Sequence, residues 1–213
     1  MNKRTMKKGL AIVLALIMVF AMTATAFASD TITPVEVSYP MNVKVVMLAA
    51  GETVTDVSGV THQITGVMEM GNDGTGVPVQ FTSSFSTIFT SYLPTNPGSA
   101  HQLNGYPTVM DAICKAYQNV NGPTAGISLG WDSNPSEGPE GAYLTTLFGN
   151  TTITTVSGLY RWEGYSWNIY LNGTTDTWNA NTRSGKIPYY ASNVQIQNGD
   201  TIYVMYENNV ETW

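Results

Sequence analysis

The chain has 213 residues, of which only 11% are charged, and a net charge of −6. Four of its nine basic residues, Lys3, Arg4, Lys7 and Lys8, fall in the first eight positions, so beyond residue 28 five basic residues face fifteen acidic ones. The resulting net charge of about −10 repels phosphate backbones and anionic headgroups, which argues against nucleic acid and acidic membranes as partners.

The first 28 residues read as a signal peptide. A basic start precedes an apolar run from Leu10 to Phe20, and Ala26-Phe27-Ala28 supplies the small-x-small cleavage pattern. The run falls short of the ~20 residues that span a bilayer. The expectation is a secreted product, extracellular or cell-wall associated, with no stable membrane insertion after cleavage. Cys114 is the single cysteine, so no intramolecular disulfide can form. It lies in an apolar helical pattern, which predicts a small buried hydrophobe.

Residues 29–40 read as an extended leader punctuated by Pro34 and Pro40. From Met41 to Ala50, Val43, Val45, Met47 and Ala49 alternate against Asn42, Lys44, Val46 and Leu48, the spacing of a largely buried strand. Residues 60–70 and 77–93 are rich in Thr, Val, Ile and Phe, with a glycine-rich turn at 71–76 between them. They predict one or two hairpins. Residues 94–106 form a Pro/Gly loop.

A helix is predicted over about 108–120. Thr108 followed by Asp111 resembles a capping box, Val109, Ala112, Ile113, Ala116, Tyr117 and Val120 make one apolar stripe, and Asn121-Gly122-Pro123 supplies a stop. Beyond it the chain turns β-like. Residues 131–141 lack periodicity and read as exposed loop, 159–162 and 166–171 read as strands, and Asn172-Gly173 is a turn. A polar loop spans 174–188. Val194 and Ile196 alternate with polar residues before a tight turn at 198–200, and Ile202, Val204 and Tyr206 mark a terminal strand. One helix laid across a mixed sheet is an α+β arrangement, and among such folds a β-grasp-like sheet is expected. The organisation is then a signal peptide, a leader, and a single domain over 41–213.

Chemistry-bearing residues are few. His62 and His101 are the only histidines, no G-x-S-x-G elbow is present, and no spacing of His, Cys and carboxylates matches a zinc site. Asp132, Asn134 and Glu137 offer oxygen ligands for calcium, but the spacing matches no EF-hand loop, Pro135 interrupts it, and an ordinary solvated loop is the favoured reading. The expectation is a protein that is not an enzyme. Aromatic residues are denser: Tyr160, Trp162, Tyr165, Trp167, Tyr170, Trp178, Tyr189 and Tyr190 fall within 31 residues. Some must serve the core, while Trp178, Tyr189 and Tyr190 on loops suit contact with a flat or apolar ligand, or with sugars.

Four segments in order carry a family resemblance. GAYLTTLFG at 141–149 resembles a Gly-(small or Pro)-Tyr-Leu-Thr-x-x-x-Gly stretch of the transcobalamin C-terminal domain. PTVMDAICKA at 107–116 is similar to that domain's helix start, and WNIYLNG and NGDTIYVMY to its closing strands. The same order marks the bacterial transcobalamin-like C-terminal domain family. The resemblance covers roughly 41–50 and 107–207 and leaves 51–106 as a β-rich insertion. It implies a ligand-facing role for Gly141, Ala142, Tyr143, Leu144 and Thr145, with Trp167 as a neighbouring wall, and cobalamin or another corrinoid as the ligand. Trp178 and Tyr190 join these as candidate contacts from the aromatic reading. The family's animal members hold cobalamin with an additional helical barrel that this chain lacks. A cell-surface adhesion or protein/glycan interaction module is the alternative that uses the same aromatic edge.

Overall fold

The computed structural model describes residues 33–49, 51–64, 75–94, 103, 105–123, 126–133, 140–188 and 190–212. The signal peptide, His101, Asn134, Glu137 and Tyr189 lie outside these. The strands are β1 (Met41–Ala49), β2 (Thr53–Thr55), β3 (Thr61–Gln63), β4 (Val77–Phe81), β5 (Ile127–Asp132), β6 (Gly141–Leu147) and β7 (Asn150–Thr151). They continue as β8 (Ile153–Ser157), β9 (Arg161–Leu171), β10 (Gly185–Lys186) and β11 (Thr201–Thr212), with one α-helix, α1 (Val109–Asn121), among the described residues.

The main sheet runs β10-β9-β11-β1-β4, and β8 pairs with β9 on the same edge as β10. β1 and β11 are parallel, from Lys44↔Thr201 to Ala49↔Tyr206, while the other neighbours are antiparallel. A second sheet, β5-β6-β7, and a small β2-β3 hairpin complete a mostly β architecture of mixed strands with one helix.

α1 starts where its caps say. Thr108 accepts from the Asp111 backbone N–H at 3.2 Å, and the Asp111 carboxylate returns the bond to the Thr108 N–H at 3.0 Å. That carboxylate is buried and also accepts from the N–H groups of Ile88 and Phe89, so it ties the 3-10 turn Phe89–Tyr92 to the helix. Burial pushes the Asp111 carboxyl above its usual range, against the pull of these hydrogen bonds. Met110 and Cys114 are buried together with the expected stripe, whereas Val120 is exposed. One core joins α1 to Met41, Val43, Val45 and Met47 of β1 and to Ile127, Leu129, Leu144 and Leu147 of the second sheet, so the helix is covered on more than one side.

Several local expectations fail for long-range reasons. Trp131, Asp132 and Gly141, at the ends of the expected 131–141 loop, are strand residues instead, because β5 and β6 pair with each other. Among the described residues, segments 60–70 and 77–93 do not pair with each other: β3 pairs with β2, and β4 pairs with β1. The 51–106 stretch thus adds a strand to the main sheet and supplies Ile64, Val79, Phe81 and Phe89 to the core. Leu159 and Tyr160 are not strand residues. They sit at a hairpin turn closed by the Gly158 N–H and the Arg161 carbonyl. Around Val194 the backbone makes a 3-10 turn, Ala191–Asn193, and an isolated bridge of Gln195 to Thr108.

Candidate functional site

The candidate site arises where the edge of β9 is left open. β8 pairs with β9 as far as Ile153↔Tyr165, and β10 with Tyr170 and Leu171. Between them the Ile187 N–H reaches the Ile169 carbonyl at 2.9 Å. Strand alternation then turns the backbone of Trp167 toward the same edge, where no described strand pairs with it. β6 of the second sheet faces this gap, and the two edges enclose a groove of about 250 Å³. Tyr143 and Leu144 line it from β6, and Trp167 and Ile169 from β9; Ile187 and Tyr190 close one end, and Ser166, Asn168 and Lys186 add polar atoms.

Each wall is held by a traceable contact. Trp167 is only 7% exposed, its indole N–H donates to the Asn150 carbonyl at 2.9 Å, and its ring packs on Tyr206 at 4.9 Å. It therefore shows the groove an edge and belongs mainly to the core. Tyr143 is 44% exposed, and its ring lies 6.2 Å from that of Tyr190. Both tyrosines rest on glycines. A Cβ on Gly130, which pairs with Tyr143, would lie 2.4 Å from the Tyr143 ring, and one on Gly141 would lie 2.3 Å from the Tyr190 Cβ. Only glycine admits rings this close to the strand. The Tyr190 hydroxyl donates to the Asp132 carboxylate of β5. The Ala191–Asn193 turn is pinned to β6 by the Ala142 N–H to Ser192 Oγ bond and by the Asn193 amide to the Glu140 carbonyl, both 2.8 Å.

On the polar side, both amide hydrogens of Asn168 are engaged, by Glu207 and by Asn209, each at 2.8 Å. Tyr170, buried on this face, donates to Glu207 at 2.8 Å and lies 3.2 Å from Asp176. Burial and those carboxylates push its phenol well above the ordinary range. Lys186 approaches Asn209 at 3.4 Å.

Of the candidate residues, Tyr143, Leu144, Trp167 and Tyr190 meet in this groove. Gly141 and Ala142 lie behind it as support. Thr145 is turned elsewhere, its hydroxyl donating to the Ser128 carbonyl at 2.9 Å. Trp178 is half-buried against the core and does not border the groove. The clustered aromatics are mostly structural: Tyr165 and Trp167 stack about Tyr206, and the Trp162 indole donates to Thr154. Among the described members of the set, Tyr160 is the one large exposed ring, at 68%. Sequence reasoning missed Ile187, Asn168, Ser166 and Ser192. No local pattern marks a serine as the clamp of a strand fifty positions upstream.

His62 meets one carboxylate, Asp56, at 2.8 Å on the β2-β3 hairpin, and neither borders the groove. Hydrogen bonds from Ser58, then His62 and Val60, hold the Asp56 carboxyl well below its ordinary range. Among the described residues no three His, Cys, Asp or Glu side chains are placed to hold a metal ion, and no helix is long and apolar enough to cross a membrane. No protein-family model, curated protein or solved structure matches the chain.

Proposed function

We propose that the protein is a secreted, non-enzymatic binding domain of β-grasp-like fold whose β6–β9 groove takes the edge of a flat, largely apolar ligand, with a corrinoid as the leading case. The observation that carries this reading is the meeting of Tyr143, Leu144, Trp167 and Tyr190, drawn from three separate segments, on one groove that polar groups also line. Its apolar rings suit a macrocycle face, and Ser166, Asn168 and Lys186 suit polar groups on a macrocycle rim. The groove is smaller than the ~300–1,000 Å³ of sites that enclose a ligand. A corrinoid would be gripped along one side, with affinity between about 1 and 100 μM, or roughly 5.5–8 kcal/mol.

Visible-absorbance and calorimetric titration of the mature chain with cobalamin and cobinamide tests this. The expected result is a spectral shift with its midpoint at or below ~100 μM. Tyr143→Ala should weaken binding about five- to tenfold, since roughly half of the 1.5–3 kcal/mol of a buried large side chain remains to be gained there. Absence of both absorbance change and heat at that concentration would sink the corrinoid reading. The alternative, a protein/glycan interaction module at the cell surface, uses the same aromatic edge, and the exposed hairpin tip at Leu159 and Tyr160 offers it a second contact region. Binding to a protein or glycan surface that survives Tyr143→Ala and is lost on replacing both tip residues with serine would favour it.

A further inference from the structure

Among the described residues the far half of β11 presents an open edge. β1 pairs with β11 as far as Ala49↔Tyr206, and Glu52 meets the Tyr165 hydroxyl of β9. From Glu207 to Thr212, β9 is the one strand paired with β11 among the described residues. The phase of the ladder fixes which groups face outward. The Asp200 carbonyl accepts from Lys44 on the β1 side, whereas the Thr201 carbonyl accepts from Asn172 on the β9 side. Even-numbered residues of β11 therefore turn their backbone toward the β1 side, and the N–H and C=O groups of Asn208, Val210 and Thr212 line the open edge. Val210 is 54% exposed, and Asn208, Glu211 and Thr212 are exposed as well.

We propose that this edge receives an extended, basic segment of another protein as an added strand. Strand addition draws affinity from main-chain hydrogen bonds and selectivity from alternate side chains. Here one set of alternate side chains is Glu207, Asn209 and Glu211; Glu207 also accepts from Asn168 and Tyr170, Glu211 is exposed, and positive charge to neutralise them is scarce. Beyond residue 28 the chain has five cations. Arg161 is paired with Glu163, Arg183 with Asp200, and Lys115 with the Gln80 carbonyl and the Phe81 ring. Lys44 lies at the opposite end of β11, beside Thr201. Two come near: Lys186, through Asn209, and Arg161, which stands opposite Thr212 with its charge already on Glu163.

The same charges disfavour a second copy of this chain. Antiparallel self-pairing centred on Asn209 sets Glu207 against the copy's Glu211 on both sides. Centring on Glu211 sets that residue against itself, and centring on Val210 leaves Glu207 and Glu211 diagonal to each other. Like charges opposite one another oppose pairing, and opposite charges favour it. Acidic edges commonly guard against aggregation, but this guard is specific to sign and admits a strand carrying lysine or arginine.

The test uses the mature chain and a fluorescein-labelled nonapeptide alternating lysine with valine and threonine, followed by anisotropy. Controls are the same peptide with glutamate for lysine, and one of unchanged charge with two central prolines. The lysine peptide should bind, and both controls should bind at least about tenfold more weakly. Raising salt to ~0.5 M should weaken it several-fold. Val210→Pro removes an outward N–H without touching the β9 ladder and should cost about tenfold; Glu211→Lys should cost about threefold or more. Hydrogen exchange on the unaltered chain should show the Asn208, Val210 and Thr212 amides protected by the lysine peptide alone, which decides the matter even if the proline variant does not fold. Equal binding of the proline-containing peptide, unchanged exchange at those amides, or self-association of the chain through this edge would overturn the proposal.

Discussion

Replacing Gly141 with alanine should damage both stability and the groove, whereas replacing Gly130 should disturb the groove with little cost in stability. The alanine Cβ at 141 would lie 2.3 Å from the Tyr190 Cβ and 2.6 Å from its Cγ, against the 3.5–4.0 Å of ordinary carbon contacts. Those atoms cannot rotate away, because the Tyr190 Cβ is fixed by its own backbone. The whole 190–193 segment must retreat by more than an ångström, and it carries the Ser192 and Asn193 bonds to β6. Overpacking costs about 1–3 kcal/mol, and weakening two hydrogen bonds adds about 1–2. Reduced freedom of the unfolded chain returns about 0.4–1. The net expectation is a loss of roughly 2–4 kcal/mol. At Gly130 the intruded atoms are Cζ, Oη and Cε1 at the far end of the half-exposed Tyr143 side chain, which can swing into solvent. The cost there should stay within about 1 kcal/mol, while the Tyr143–Tyr190 contact is lost. Urea unfolding of the three proteins, with matched slopes, measures both values. Midpoints for Gly141→Ala equal to the parent, or losses equal at the two positions, would refute this account of why glycine stands at 141.

Alkaline pH should destabilise the fold through Tyr206. Burial, then Tyr165, pushes its phenol up to about 12, while the unfolded chain ionises near 10. The stability this group contributes is present below pH 10 and lost as pH rises through 12, roughly 1–3 kcal/mol. Tyr206→Phe should lose about 1 kcal/mol at pH 7 with the hydrogen bond to the Thr151 carbonyl, yet show a shallower decline in urea midpoint between pH 9 and 11.5. Cys114 is buried, and desolvation raises its thiol well above the ordinary value. Thiol reagents at pH 8 should leave it unmodified in the native protein and label it fully in denaturant; labelling of the native chain would contradict its place in the core.

What could be read from local pattern was what neighbours in sequence control. Thr108, Asp111 and Gly122 bounded the helix because caps involve residues a few positions apart. Alternation exposed β1, and the Asn-Gly turns at 172 and 198 fell between strands, since turn chemistry is local. Tyr143, Leu144 and Trp167 were legible as candidate contacts only through a resemblance in ordered motifs. Leu159-Tyr160 shows the limit most plainly. Two large apolar residues read as strand, but the single long pairing of β9 with β11 pushed them out to a turn.

The sequence by itself determined the acidic surface, the lone buried thiol, the helix over 109–121 and most strand-forming segments among the described residues. Tertiary structure alone decided which edges stayed open. A groove at Trp167 exists because β8 stops at Tyr165 and the β10 side resumes at Ile169, and an open edge exists at β11 because β1 ends at Ala49. Where a partner strand stops depends on chain returning from far away to pair or fail to pair. Residue propensity carries no record of that length match.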